Sequence, residues 1–291
     1  MLLRSYAIPA ATLDHMQSYS SSFLIFFYQV ALGGLFALAA TPFHELERAF
    51  YKSTGGVLFV IALVGLWGKS PLYWQGAVHD LNWVTVAEVF FHLWFALSFG
   101  AYLVSLWSER QRFRARSFST CVLTGLAGLA LSAHGFYRAP VVSFETLIYP
   151  VSFLLSSLLL GSVTVGMLIG HWYLIDTGQT LDPFVRIYKF FVVALIIQAL
   201  FFILAPFLLY FQGSSSSVAN MQRLWSDHWT LLATRSLIGH IAPLILSWMI
   251  WRSLLIPHTM AATGLFYIAL LGVFVGEMLG RQILALTSLP F

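Results

Sequence analysis

Ionisable residues stand at helical spacing inside stretches that are otherwise apolar. Glu88 and His92 lie four residues apart in VAEVFFHLW, and Glu277 and Arg281 repeat that interval in GVFVGEMLGR. Arg235 and His240 fall within TRSLIGH, and His134 and Arg138 within SAHGFYR. An interval of four puts both side chains on one helix face. A charged group within a bilayer costs roughly 2.5–3.5 kcal/mol on insertion scales, so such residues point to function more strongly than they would in water. A carboxylate beside an imidazole can take up protons, and both can hydrogen-bond a polar head group. Oxidation of a quinol needs that chemistry: partners for two oxygens, an acceptor for protons and an apolar groove for a tail.

Two other chemistries use the same residues. Paired histidines at similar depth could ligate a b-type haem, with His92 and His240, each about nine residues into its helix, and His134 as candidates. Alternatively the groups only neutralise one another, Glu277 with Arg281 along one helix and His92 by bonding a neighbouring helix. His171, beside Trp172 and Tyr173, reads as an interfacial belt residue.

The elements that must position these residues are membrane helices. The chain is 59% hydrophobic and 9% charged with a mean hydropathy of +0.83, against about 25% charged for a soluble domain. Helices are expected at 22–41, 54–74, 83–107, 119–137, 147–174, 184–211, 231–255 and 259–287, each near the ~20 residues a crossing needs. Residues 1–291 therefore form one all-α, polytopic bundle of about eight transmembrane helices. Gly65, Gly68 and Pro71 interrupt the second, so Trp67 to Trp74 reads as a possible interfacial segment. The hydrophilic stretch from Gln212 to Thr230 reads as a flexible loop, and Gly272, Gly276 and Gly280 as a face for close helix approach.

Composition also excludes. With Cys121 the only cysteine, the chain can form no internal disulfide and no cysteine-ligated cluster. The net charge of +4 flanks apolar runs instead of forming a patch, which argues against nucleic acid. The N-terminal segment, with Asp14 before the first apolar run, does not match a standard signal peptide. No tandem or inverted repeat marks a solenoid or a secondary transporter.

An even number of spans puts both ends of the chain on one face. The opposite face and its helix ends carry nine of the basic residues, four of them between Arg110 and Arg116, against six on the first. Excess Lys and Arg mark the cytoplasm, so both ends are expected outside. Glu88, His92, His134, Arg138, Arg235, His240, Glu277 and Arg281 then fall in the outer leaflet, as one expected cluster.

Several stretches carry a resemblance. GEMLGRQIL, from Gly276 to Leu284, is similar to the Gly-Glu-Leu-x-Gly-Arg segment of the membrane-anchor subunits of the dimethyl sulfoxide reductase family. FFYQVALGGLFALA, FYRAPVVSFETLIYPVSFLLSSLLLGSVTVGMLIG and MQRLWSDHWTLLATRSLIGHIAPLILSW agree with that family in order and spacing. VAEVFFHLWFALSFGAYL places Glu88 where the family has a glutamate implicated in quinol chemistry.

The resemblance implies an eight-helix, haem-free, quinol-oxidising anchor in a bacterial or archaeal cytoplasmic membrane. Its periplasmic face would hold an iron–sulfur subunit that contacts a molybdopterin catalytic subunit. Glu88 would accept protons from menaquinol or ubiquinol, with Arg235, Glu277 and Arg281 in the site or its support. One position departs: the family has a histidine shortly before a Gly-Ser-Pro-like turn after the second helix. WGKSPLYW here offers Trp67 and Lys69, with His79 and His92 as substitutes.

The leading expectation is a quinone-interacting anchor subunit with Glu88 and His92 at its centre and Arg138, Arg235, His240, Glu277 and Arg281 around the quinone. A haem b subunit and a purely structural anchor are its rivals.

Overall fold

The computed structural model describes residues 10–43, 45–79, 82–136, 143–176, 178–256 and 258–291, with side chains from 19 onward apart from 75–79. Among these residues there is no strand, and eight helices are long and apolar enough to cross a membrane. The chain is an all-α, multi-pass membrane protein. Only helices meet all their backbone hydrogen bonds within one segment, which is why an apolar chain of this length takes that form in lipid.

The helices are α1 (Ala10–Ala39), α2 (Arg48–His79), α3 (Trp83–Ser105), α4 (Gln111–His134), α5 (Glu145–Ile175), α6 (Asp182–Gln212), α7 (Ser215–Asp227), α8 (Trp229–Leu255) and α9 (Thr259–Thr287). All but α7 span. Within α8, Ser236–Ile241 winds as a π turn.

α1 and α5 form the axis, and their closest approach depends on glycine. A methyl on Gly33 would sit 1.7 Å from the Ser157 carbonyl oxygen, and one on Gly161 would sit 1.8 Å from the Gly33 backbone. Reciprocal bonds stitch the crossing: Gln29 Nε2 donates to the Phe153 carbonyl at 2.8 Å, and Ser157 Oγ to the Gln29 carbonyl at 2.9 Å. α2 and α4 pack on α1, α6 packs on α5, and α9 touches both axial helices. α3 packs against α2 and α4, and α8 against α6 and α9.

Three local expectations change. α2 runs through Pro71 to His79 without a break into an interfacial segment. Pro71 cannot donate to the Trp67 carbonyl, but Ser70 Oγ does so at 2.7 Å, which satisfies the freed acceptor. α4 begins at Gln111, so Arg112, Arg114 and Arg116 lie on its first turns, and Arg114 stacks on Phe43 at 3.9 Å. The stretch after Gln212 holds the amphipathic helix α7. Its start is fixed by the buried Glu145, whose Oε1 accepts from Ser214 N, Ser214 Oγ and Ser217 Oγ, each at 2.8 Å.

The connections at the other end of the bundle are tied by ion pairs. Arg186 grips Glu45 through two bonds of 3.0 and 3.1 Å, and Arg48 grips Glu109 through bonds of 2.7 and 2.9 Å. Its hydrogen bonds to Arg48 hold the exposed Glu109 carboxyl below the usual carboxylate range.

Candidate functional site

The polar residues at the end where α1 starts and α9 finishes form two networks instead of the single cluster expected from depth. Depth along a helix says nothing about azimuth, and α1 passes between them. Tyr28 of α1 packs on His92 in the first network. The next residue, Gln29, bonds the backbone of Phe153, whose ring underlies Arg281 in the second.

The first network joins α2, α3 and α4 around Glu88. Lys69 Nζ lies 2.6 Å from Glu88 Oε1, Ser132 Oγ donates to the same oxygen at 2.6 Å, and Tyr73 Oη donates to it at 3.1 Å. Lys69 also reaches Ser132 Oγ at 3.4 Å. Three donors thus converge on Oε1, and Oε2 takes part in none of these bonds. The Lys69 side chain is 4% exposed and that of Glu88 is 16% exposed, so the lysine is sealed and the carboxylate opens outward. On the side of α3 away from Glu88, Trp83, Val86, Ala87 and Phe90 line a shallow depression of about 470 Å³.

His92 lies one turn further in. Its Nδ1 is 2.8 Å from the Glu88 carbonyl oxygen, an acceptor, so a neutral ring carries its proton on Nδ1. Nε2 then lies 3.5 Å from Ser132 Oγ, whose single proton is already donated to Glu88. Tyr28 covers the ring at 4.2 Å between centroids and anchors its hydroxyl on the Gly125 carbonyl at 3.0 Å. Gly128 makes room, since a methyl there would lie 2.5 Å from the Tyr28 hydroxyl.

The second network joins α5, α6, α8 and α9 around Glu277. Its Oε1 accepts from Gln198 Nε2 at 2.5 Å and Arg235 Nη2 at 3.2 Å, and its Oε2 from Arg281 Nη2 at 3.3 Å. Arg281 continues to Ser156 Oγ at 3.0 Å, and Arg235 Nη1 donates to the Gly276 carbonyl at 3.0 Å. Every charged member is at most 4% exposed. The glycines of α9 permit this, as expected: Gly276 abuts Gly239, and a methyl on Gly280 would lie 1.3 Å from Arg235 Nη1. The expected Glu277–Arg281 pair is present, with Arg235 as its third member.

The two networks differ chemically. Both oxygens of Glu277 are engaged and buried, whereas among the described residues only Oε1 of the partly exposed Glu88 carboxylate is engaged in these bonds. Glu88 is the carboxylate able to meet a molecule arriving from the lipid. His240, stacked on Phe202 at 4.8 Å, belongs with the second network. A bis-imidazole pair of His92 and His240 would need α3 to face α8, and α3 packs instead on α2 and α4. His134 is the last residue of α4, two beyond Ser132. Arg138 lies outside the described residues, as does the side chain of His79.

Sequence reading missed Lys69, Tyr73 and Ser132 as members of the site. The signal for Lys69 is a lysine within an apolar helix, which position near the end of the span makes look like a helix-end charge. Lys69 stands in the stretch where the family resemblance expects a histidine.

No protein-family model, curated protein or solved structure matches the chain.

Proposed function

We propose that this protein is the quinone-reactive membrane anchor of a respiratory oxidoreductase, with the quinol met at Glu88. The observation that carries the reading is a partly exposed, membrane-embedded carboxylate held through Oε1 alone by Lys69, Ser132 and Tyr73, with no bond from Oε2 among the described residues. A quinol hydroxyl that reaches Oε2 finds a base fixed in place, and Lys69 keeps the pair neutral overall until the proton arrives. His92, its Nδ1 tied to the Glu88 carbonyl, holds the α3 turn that carries this base. Two protons and two electrons leave each quinol, and the electrons pass to an iron–sulfur partner on the same face.

Three of the six basic residues counted for that face, Lys69, Arg235 and Arg281, lie inside the bundle. Their removal sharpens the excess of positive charge on the other face and supports an outward position for the quinol site. The resemblance to dimethyl sulfoxide reductase anchors supplies the class of partner, an iron–sulfur subunit linked to a molybdopterin subunit. The membrane is then a bacterial or archaeal cytoplasmic membrane.

The test is purification of the chain with whatever accompanies it from native membranes. Quinone, iron, acid-labile sulfide and molybdenum in constant ratio to the chain support the assignment. A Soret band from haem, or a chain that carries no redox partner and no quinone, overturns it.

A further inference from the structure

A second place in the molecule suits the same ligand class, beyond the Glu88 site but resting on the reading of this chain as a quinone protein. Between α6, α7 and α8 runs a groove of about 980 Å³, lined by Phe202, Phe207, Tyr210, Trp225, Leu232 and Phe291 among others. Its flank is open, since Phe207 and Tyr210 are each 61% exposed and Phe211 is 76% exposed. In a bilayer that flank faces hydrocarbon, and α7 roofs the groove as an amphipathic helix at the interface. A lining this apolar takes a hydrocarbon chain and rejects water.

Behind the Phe202 ring, outside the groove lining itself, lies unmet polar capacity. Phe202 stacks on His240, which is 5% exposed, and among the described residues the Arg235 backbone is the only polar neighbour of its ring, with neither ring nitrogen at full hydrogen-bond geometry. The Phe202 ring also lies 5.7 Å from the Arg235 guanidinium carbon, and Arg235 Nε is unpartnered. Pro206, on the groove wall, cannot donate to the Phe202 carbonyl as a helical residue would. The network behind contains two arginines and one glutamate. Buried polar groups without partners are rare and mark ligand sites. π turns also gather at functional sites, and the one here carries both His240 and the groove residue Ser236.

We propose that this groove is a second quinone site. The prenyl tail lies under α7, and the head group displaces or slides past the Phe202 ring so that one ring oxygen bonds His240. A phospholipid chain would fill the groove but would leave His240 unmet, and this decides between the two occupants.

The test uses a prenylated azidoquinone with the full chain in mixed micelles, followed by peptide mapping. Labelling is expected on α6 and α8 peptides as well as on α3. Groove-filling by Leu232→Trp, or independently by Ser226→Trp at the mouth, should reduce the α6 and α8 label about tenfold and spare α3. His240→Leu should weaken it about tenfold. Label confined to α3 overturns the second site and leaves the proposed function intact. Absence of label from both sets overturns both. Label on α6 and α8 that excess phospholipid removes, or that both tryptophans leave unchanged, assigns the groove to lipid and overturns the second site.

Discussion

Lys69 of α2 and Glu88 of α3 form an ion pair of 2.6 Å in which the lysine is buried and the carboxylate, held through Oε1, is the more exposed partner. The asymmetry separates two roles that a single mutation would confuse. The pair supports packing of α2 on α3, and the proposed quinol chemistry is assigned to the other oxygen.

Glu88→Gln removes the base and strands a buried ammonium. Loss of one partner from a buried pair costs about 3–5 kcal/mol, so the single variant should be unstable as well as inactive. Lys69→Met together with Glu88→Gln should recover most of the stability, while quinol-linked turnover stays about 10²-fold or more below wild type. Thermal unfolding in detergent beside quinol oxidation by the assembled complex reads both quantities. Recovered turnover in the double variant would reduce Glu88 to a structural role.

The Glu277 network should behave as structure. Glu277→Gln leaves Arg235 and Arg281 without a counter-charge, and a loss of about 3–5 kcal/mol is expected. Gly280→Ala should approach that loss by driving Arg235 from its place, because the added methyl meets Nη1 at 1.3 Å. Thermal stability decides it: unchanged melting of both variants would contradict the placement of these side chains.

The α1–α5 crossing predicts a sharp size limit. Gly33→Ala and Gly161→Ala each push a methyl into backbone at under 2 Å, where no rotamer relieves the clash. Overpacking typically costs about 1–3 kcal/mol, and these positions should exceed that range because backbone must move. Gly56, with nothing within 4 Å of an added methyl, is the control that should tolerate alanine. Melting temperatures of the three variants give the comparison.

Glu145 predicts a local effect. Glu145→Ala removes the acceptor shared by Ser214 and Ser217, so the start of α7 should loosen while the spans stay intact. Limited proteolysis near Ser214 should speed up with little change in melting. An unchanged cleavage rate would mean that other contacts hold α7.

The spans could be read from sequence because apolar length and membrane thickness leave one solution; α1 begins at Ala10 instead of 22, and the other large differences are at the starts of α2 and α4. Those starts were placed late because Arg48, Arg112, Arg114 and Arg116 look like loop residues by polarity, although their long side chains suit a helix. Members of the site were legible where charge stood out, as at Glu88, Glu277 and Arg281. Their grouping was not, since it depends on which helices adjoin, and no periodicity within α3 reveals that α4 brings Ser132 and α2 brings Lys69. Glu145 escaped notice for the same reason: its partners are serines some seventy residues away.

The most direct test of the quinol site is the affinity of a short-tailed naphthoquinol for purified wild-type chain and for the Lys69→Met, Glu88→Gln double variant, compared at equal stability. A hydrogen bond to a charged group contributes about 1.5–3 kcal/mol, so binding to the double variant should weaken about 10- to 100-fold. Equal affinity in the two proteins would contradict a quinol held at Glu88.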